Sequence, residues 1–505
     1  MSKGIKQALT LGILCLLMVG AIIAYFLVPQ GEDEENANVT ENAIDVVSIE
    51  ASAINQVDIS GPEMESISLI KNGEEWILAD LPKAPLDAQA VDAMLSSLAP
   101  LTATKELAMD GASLAEYGLE SPQVTVKVLT TDGNSYELKI GETVPVTGGN
   151  YGVFGDRDKV YAFEDTVFEG FAVSKNSLIA KEEIASIEED YLTSISVKNK
   201  GKESFRAEIV SDDKKVDAYT NWVITKPFEK PLAGSSTDDW NKLQGYFTSV
   251  ELQELVEYNC KNMKEYGLNE PVGEVEVEYF ELQEGYELPE ATANPDGKIT
   301  SNSTNKANVV PKDKQVSHSY TLVIGGNAPD GSYYVRLKDS KNVYTMDAEI
   351  VQSMLGVDAY TYMDRCVYST LATDINGYDA VIGDKKISVT RKTEKGDDGK
   401  DKNVWTLNGT QVSDENEETF LTPYTKGYLL EFTSEAKDSV KPKSNEPIMK
   451  IVFHEANRDV TVTYLPYDGT NFYRVDKNGM DYFLVDKRSV DDMISAYEAL
   501  LKLDQ

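Results

Sequence analysis

The heptapeptide EYGLESP at residues 116–122 returns almost unchanged as EYGLNEP at residues 265–271. A chain that repeats itself at that distance is built from successive copies of a supersecondary unit, each with its own apolar face to bury. Length agrees, since 505 residues exceed what a single hydrophobic core supports.

The copies can be followed from the tryptophans. EWILADLPKAP carries Trp76, NWVITKPFEKP carries Trp222 and VWTLNGTQVS carries Trp405. Each is a short apolar alternation of the kind a half-buried strand shows, and recurrence at one strand position reads as core packing. A helical stretch follows each. Val91, Met94, Leu95 and Leu98 fall at i, i+3, i+4 and i+7, as do Leu243, Tyr246, Phe247 and Val250; in the third copy Pro423 interrupts the pattern. Next comes the repeated motif. Gly118 and Gly267 suit a left-handed backbone position, while Pro122 and Pro271 forbid a helix from running on. Tyr117, Leu119, Tyr266 and Leu268 then read as core anchors, and YGLxxP as the exit from a helical region into a strand.

Strands follow. Residues 124–141 predict a hairpin around an Asp-Gly turn. The second copy spreads the same hairpin over 274–282 and 319–326, with the polar stretch 283–317 inserted at its tip, where added chain costs little. The third has 448–465. Each copy closes on aromatics ten residues apart, Tyr151 and Tyr161, Tyr334 and Tyr344, Tyr473 and Phe483. A helix then starts near Glu164–Asp165, Asp347 or Asp486. The reading is α+β: three tandem repeats at 45–185, 186–366 and 367–505, each an antiparallel sheet packed with two helical segments.

Ahead of them, residues 8–28 run for 21 residues without a charge, which predicts a single transmembrane helix. Lys3 and Lys6 precede it and GEDEE (31–35) follows, so the N-terminus is expected in the cytoplasm and the bulk of the chain outside the cell membrane. Residues 1–30 form the tip and anchor, 31–44 an acidic linker. The apolar run outlasts the core of a cleaved signal peptide, and Leu14 before Cys15 does not fit a lipoprotein site.

Charge narrows the functions. With 48 basic and 85 acidic residues the formal net charge is −37, a field that repels nucleic-acid backbones. His318 and His454, the two histidines of the chain, lie in different repeats at unrelated positions. A two-histidine metal site and a His-based triad therefore find no support, and no catalytic residue, metal ligand or cofactor is assigned. The segment DDGKDKNVWTLN lacks the sixth-position glycine and final glutamate of a calcium loop. Cys260 and Cys366 are the two cysteines beyond the predicted span; they could pair outside the cell or remain free thiols, and spacing leaves both open.

The Trp strand, the YGLxxP turn, the hairpin ending in IG and the closing VY strand together resemble a bacterial family classed as domain of unknown function 4340. The likeness is strongest over 55–185. The second copy matches with an interruption, and the third keeps Trp405 and the closing strands without the YGL motif. The resemblance implies a membrane-anchored extracytoplasmic protein, often encoded beside ABC transporter components of the gliding-motility type, with no catalytic residue to carry over. The expected function is a non-enzymatic accessory or scaffold protein, with an ABC transporter permease as partner and the bilayer met through residues 8–28. The alternatives are a module that binds cell-envelope polymer or carbohydrate, and a hydrolase with an unrecognised carboxylate pair.

Overall fold

The computed structural model describes residues 43–503 apart from 99, 109–112, 146, 156–158, 217–219, 236, 289–304, 371–373, 396–400, 413–416, 429, 438, 441–443 and 457. The chain divides into two compact units, Met1–Ala180 and Lys181–Gln505.

The first unit is organised by an eight-stranded antiparallel sheet. Its order is Glu75–Leu78, Met64–Asn72, Ile54–Gly61, Val124–Thr130, Ser135–Thr143, Asn150–Phe154, Lys159–Phe163, Lys105–Ala108. Strand alternation decides its faces: Val124, Val126 and Val128 are buried on one side, level with Val57, Ile59, Leu138 and Ile140. On that side lies the helix Asp165–Phe171, and the helix Ala88–Ser96 packs against it in turn. Asp87 caps the latter by accepting the N–H groups of Gln89 and Ala90, and the helix buries Val91, Met94 and Leu95. A short ribbon pairs Ile44–Val47 with Leu101–Ala103.

The second unit contains two nine-stranded sheets. One runs Leu232–Ala233, Trp222–Lys226, Lys202–Ile209, Leu192–Asn199, Gly273–Leu282, Gln315–Asn327, Tyr333–Leu337, Val343–Met346, Leu255–Glu257. The other runs Thr410–Gln411, Asp401–Leu407, Lys385–Lys395, Ile375–Ile382, Met449–Glu455, Asp459–Pro466, Phe472–Lys477, Met480–Asp486, Ser434–Glu435. The registers align all three large sheets residue by residue. Val57–Val128, Ile195–Val277 and Tyr378–Phe453 are one equivalent pair; Ile140–Gly152, Ile324–Val335 and Tyr464–Val475 are another.

A seam joins the two sheets of the second unit. Phe228 stacks on Tyr482 at 4.7 Å and meets Phe483 edge-on at 5.3 Å. The Tyr482 hydroxyl accepts the Lys230 N–H, and Arg458 donates to the carbonyls of Lys215 and Val216 while Glu455 holds its other side.

Two expectations are corrected here, and one open alternative is decided. The sheets, not helix-covered α+β repeats, are the body of the protein. Each sheet gains a leading hairpin (Ile54–Gly61 with Met64–Asn72 in the first) and a short edge strand after the first helix (Lys105–Ala108), and the helices are brief, the longest among the described residues being the 14 residues Lys487–Leu500. Second, a bilayer core of about 30 Å asks for about 20 helical residues, and among the described residues no helix is long and apolar enough to cross a membrane. The predicted span 8–28 lies outside the described residues, and the single-pass architecture and membrane localisation expected from it are carried by no described helix. Of the two states left open for Cys260 and Cys366, the free thiol is the one found for both. Cys260 is packed among Leu268, Val323 and Val343, whereas Cys366 is half-buried, its backbone paired with that of Glu431 at the entry to the third sheet.

Candidate docking cleft beside the Tyr-Gly-Leu turn

The repeated motif builds a small second core on the far side of each of the first two sheets. In the first, Leu119, Val153 and Val160 are buried together, with Leu107, Leu114, Tyr117 and Tyr151 packed around them. Val153 pairs with Lys139, one residue out of phase with the inward Leu138 and Ile140, so this cluster lies on the outer face. The second copy repeats it with Leu268, Val323 and Val343 beside Tyr266 and Tyr334. The tyrosines meet edge to face in both: Tyr117 and Tyr151 at 4.8 Å and 70°, Tyr266 and Tyr334 at 4.9 Å and 72°. Gly118 and Gly267 hold φ of 69° and 71°, the left-handed turn that aims each tyrosine inward. Pro122 and Pro271 stand half-buried just before the strands that begin at Val124 and Gly273.

The third sheet differs in kind. Register puts Arg474 where Tyr151 and Tyr334 stand, and Arg474 forms an ion pair with Asp481 instead of an aromatic contact. Tyr473, one residue earlier, points to the inner face. Phe483 keeps the register of Tyr161 and Tyr344, so in the third copy only the first aromatic of the pair is out of place.

The tryptophans occupy unequal settings. Trp222 packs on Trp240 at 5.4 Å and Trp405 on Phe420 at 6.4 Å, both buried. Trp76 is half-buried, with the Lys71 ammonium 6.0 Å from its ring.

Beside the first outer core opens a cleft of about 600 Å³. Leu107 and Tyr151 bring the apolar surface of the core to it; Val144 and Pro145 line the loop side, and Thr104, Lys105, Glu164 and Asp165 supply polar groups. Gly148 and Gly149, with φ of 76° and 77°, turn the loop back on itself. The Gly149 N–H donates to Asp165 at 2.8 Å, and a β-carbon on Gly149 would stand 2.0 Å from the Phe163 carbonyl, so the loop is pinned to the closing strand. An open trough with an apolar floor and exposed charges of both signs suits an extended peptide or a loop of a partner. From Ile140 to Tyr151 is eleven residues, from Ile324 to Tyr334 ten, so the loop that walls the cleft is longest in the first copy.

A second, smaller hollow of about 290 Å³ lies by Tyr191, Tyr279 and Leu282 at the far end of the second sheet. It adjoins the insertion. Residues 289–304 lie outside the described residues, but Ala307 and Val310 pack on Phe280, and the buried Asn305 donates to the Leu192 carbonyl at 2.7 Å. Strand pairing of Leu282 with Gln315 starts inside the stretch read as loop.

Two charged clusters escaped the sequence reading. The Lys175 ammonium is buried and donates to Glu65 at 2.7 Å and Asp80 at 2.5 Å. His454 bonds Asp459 through Nδ1 at 2.8 Å and Asp379 through Nε2 at 3.2 Å. Neither spacing is periodic, so no pattern in the chain announces it. Among the described residues no group of three or more His, Cys, Asp or Glu side chains is arranged to hold a metal ion.

The family described as Domain of unknown function (DUF4340) matches residues 76–245 and 222–426, together most of the chain. The chain belongs to this family. Both matches begin on a tryptophan strand, at Trp76 and Trp222, and both end inside the first helix of the following sheet, Asp238–Thr248 or Glu417–Tyr428. In chain order the DUF4340 unit thus runs from partway through one sheet to partway through the next. No curated protein and no solved structure matches the chain.

Proposed function

We propose that this DUF4340 protein is a non-enzymatic accessory or scaffold protein that docks a component of an ABC-type transporter. The observation that carries the reading is the seam of the second unit. Phe228, Tyr482, Phe483 and the Arg458 clamp lock two nine-stranded sheets into one platform, and a surface fixed before binding loses little conformational entropy on association. The cleft beside Tyr151 adds a place for a partner's peptide. The transporter as partner class comes from the family resemblance. Polymer binding through a row of exposed aromatics is less well supported, because Trp222 and Trp405 are interior.

The test is site-specific photocrosslinking in the native host, with the reactive residue at Thr147 in the cleft of the full chain. Adducts to a permease or ATPase subunit of an ABC transporter are expected. Adducts confined to glycan, or none to any transporter subunit, would remove the reading.

A further inference from the structure

We propose that the core of the third sheet is an internal hydration site, with ordered water bound among the hydroxyls of Tyr378, Tyr424 and Tyr497. These side chains are 2%, 8% and 0% exposed, and among the described residues none of the three hydroxyls has a hydrogen-bond partner.

They belong to one cluster. Tyr378 meets Tyr497 edge-on at 5.4 Å, Tyr368 lies 6.4 Å from Tyr424, and Phe453 stacks on Tyr368 at 3.9 Å while facing Tyr378 at 6.3 Å. Burial pushes the Tyr497 phenol well above its ordinary value, and the neighbouring phenols of Tyr378, Tyr464, Tyr368 and Tyr424 add to it. Tyr464 has only the Met493 sulfur, 4.0 Å from its hydroxyl. At the margin, Tyr368 and Thr370 both donate to Glu455, at 3.1 and 2.9 Å.

The other two sheets show that the fold does not demand phenols here. Register places Val57 and Ile195 at the position of Tyr378, and Ile140 and Ile324 at that of Tyr464. The third sheet has exchanged aliphatic side chains for hydroxyl-bearing ones at equivalent inner positions. A buried hydroxyl left unpaired loses more than a made hydrogen bond gains, so polar groups in interiors are satisfied by protein or by ordered water. Bound water typically has two to four polar partners, and buried phenols, which both donate and accept, can supply them.

A high-resolution crystal structure of the full chain tests this directly. A water within hydrogen-bond distance of at least two of the three hydroxyls is expected; hydroxyls that meet only carbon, or only one another, overturn the proposal. Tyr497→Phe and Tyr378→Phe give a solution readout. Each should lower the melting temperature by a few degrees, since each strips a bound water of a partner. A rise in both would show idle hydroxyls and overturn the proposal. If either variant fails to fold, water-to-tyrosine magnetisation transfer in the unaltered protein decides: long-lived contacts support the site, and their absence removes it.

Discussion

The carbonyl oxygen of Tyr117 lies so close over Gly141 that a β-carbon there would stand 2.2 Å from it. The second copy repeats the fit to the same figure, with the Tyr266 carbonyl over Gly325. Position 465, the register equivalent in the third sheet, is leucine, and no Tyr-Gly-Leu turn exists there to collide with it. Motif and glycine are two halves of one lock.

Substituting Gly141→Ala should therefore cost about 1–3 kcal/mol by overpacking against backbone. Gly133→Ala, at φ 85° with open space around it, should cost only the strain of its backbone, about 1 kcal/mol. Urea denaturation of both variants compares them. Equal losses would mean that the turn yields and the lock is loose.

Lys175 offers a test of asymmetry. Burial pulls its pKa down, but its hydrogen bonds to Asp80 and Glu65 outweigh that and hold it above the ordinary lysine value. Replacing the cation with an apolar side chain, Lys175→Met, should change stability by less than about 1 kcal/mol. Removing both acids, Glu65→Gln with Asp80→Asn, strands a buried ammonium and should cost more, about 2 kcal/mol once the exposure of the carboxylates is allowed for. Chemical denaturation should rank the two in that order; the reverse order would show that the cation itself is what the unit needs.

His454 sets a pH window. Partial burial lowers its pKa, yet hydrogen bonds to Asp459 and Asp379 and their charges overcome this and leave it raised. A raised folded value means the stabilisation is fully present below the unfolded pKa of about 6.5. It is lost as pH climbs through the folded value. With two histidines in the chain, proton NMR should resolve a ring titrating above the ordinary range, and Asp379→Asn should bring it down. The stability difference between the unaltered protein and His454→Gln should shrink from pH 6 to pH 8.5. A flat difference would refute the latch.

Thiol chemistry should be slow. Burial, helped by the charge of Asp364, pushes Cys366 up to about 12, and burial also raises Cys260. The thiolate is the reactive form, so iodoacetamide at pH 8 should leave both peptides largely unmodified in the native protein and label both in urea. Rapid native labelling of Cys366 would contradict the burial described.

Much of this architecture could be read from the chain where packing imposes a period. The YGL turns show themselves because their tyrosine, glycine and leucine each meet a fixed demand, and the helix over Val91, Met94 and Leu95 because those residues share a face. The leading hairpins were hidden: INQVDISG and MESISLIKN mix polar side chains into strands whose outer face is wet, which weakens the alternation. The slip at Tyr473 has a sharper cause. Counting aromatics cannot tell which face of a strand they occupy, and Arg474, the residue that decides it, signals only through its partner Asp481. The cleft was illegible because its walls come from separate strands and the floor is borrowed from the outer core. Lys175 finds its acids 95 and 110 positions away, and His454 joins the nearby Asp459 to Asp379, 75 positions back.

The two DUF4340 matches straddle the sheets. Cutting the gene at residue 76 would part the leading hairpin of the first sheet from its remaining strands, and cutting at 245 would part the first four strands of the second sheet from the other five, leaving ladders open on both fragments. The matched segment and the folded sheet therefore begin and end at different places in this chain. Duplicating the matched segment would insert a tail of one sheet and a head of the next, and the old head and tail would have to find new neighbours. Two overlapping matches thus span parts of three large sheets, and the sheet count stands one ahead of the match count.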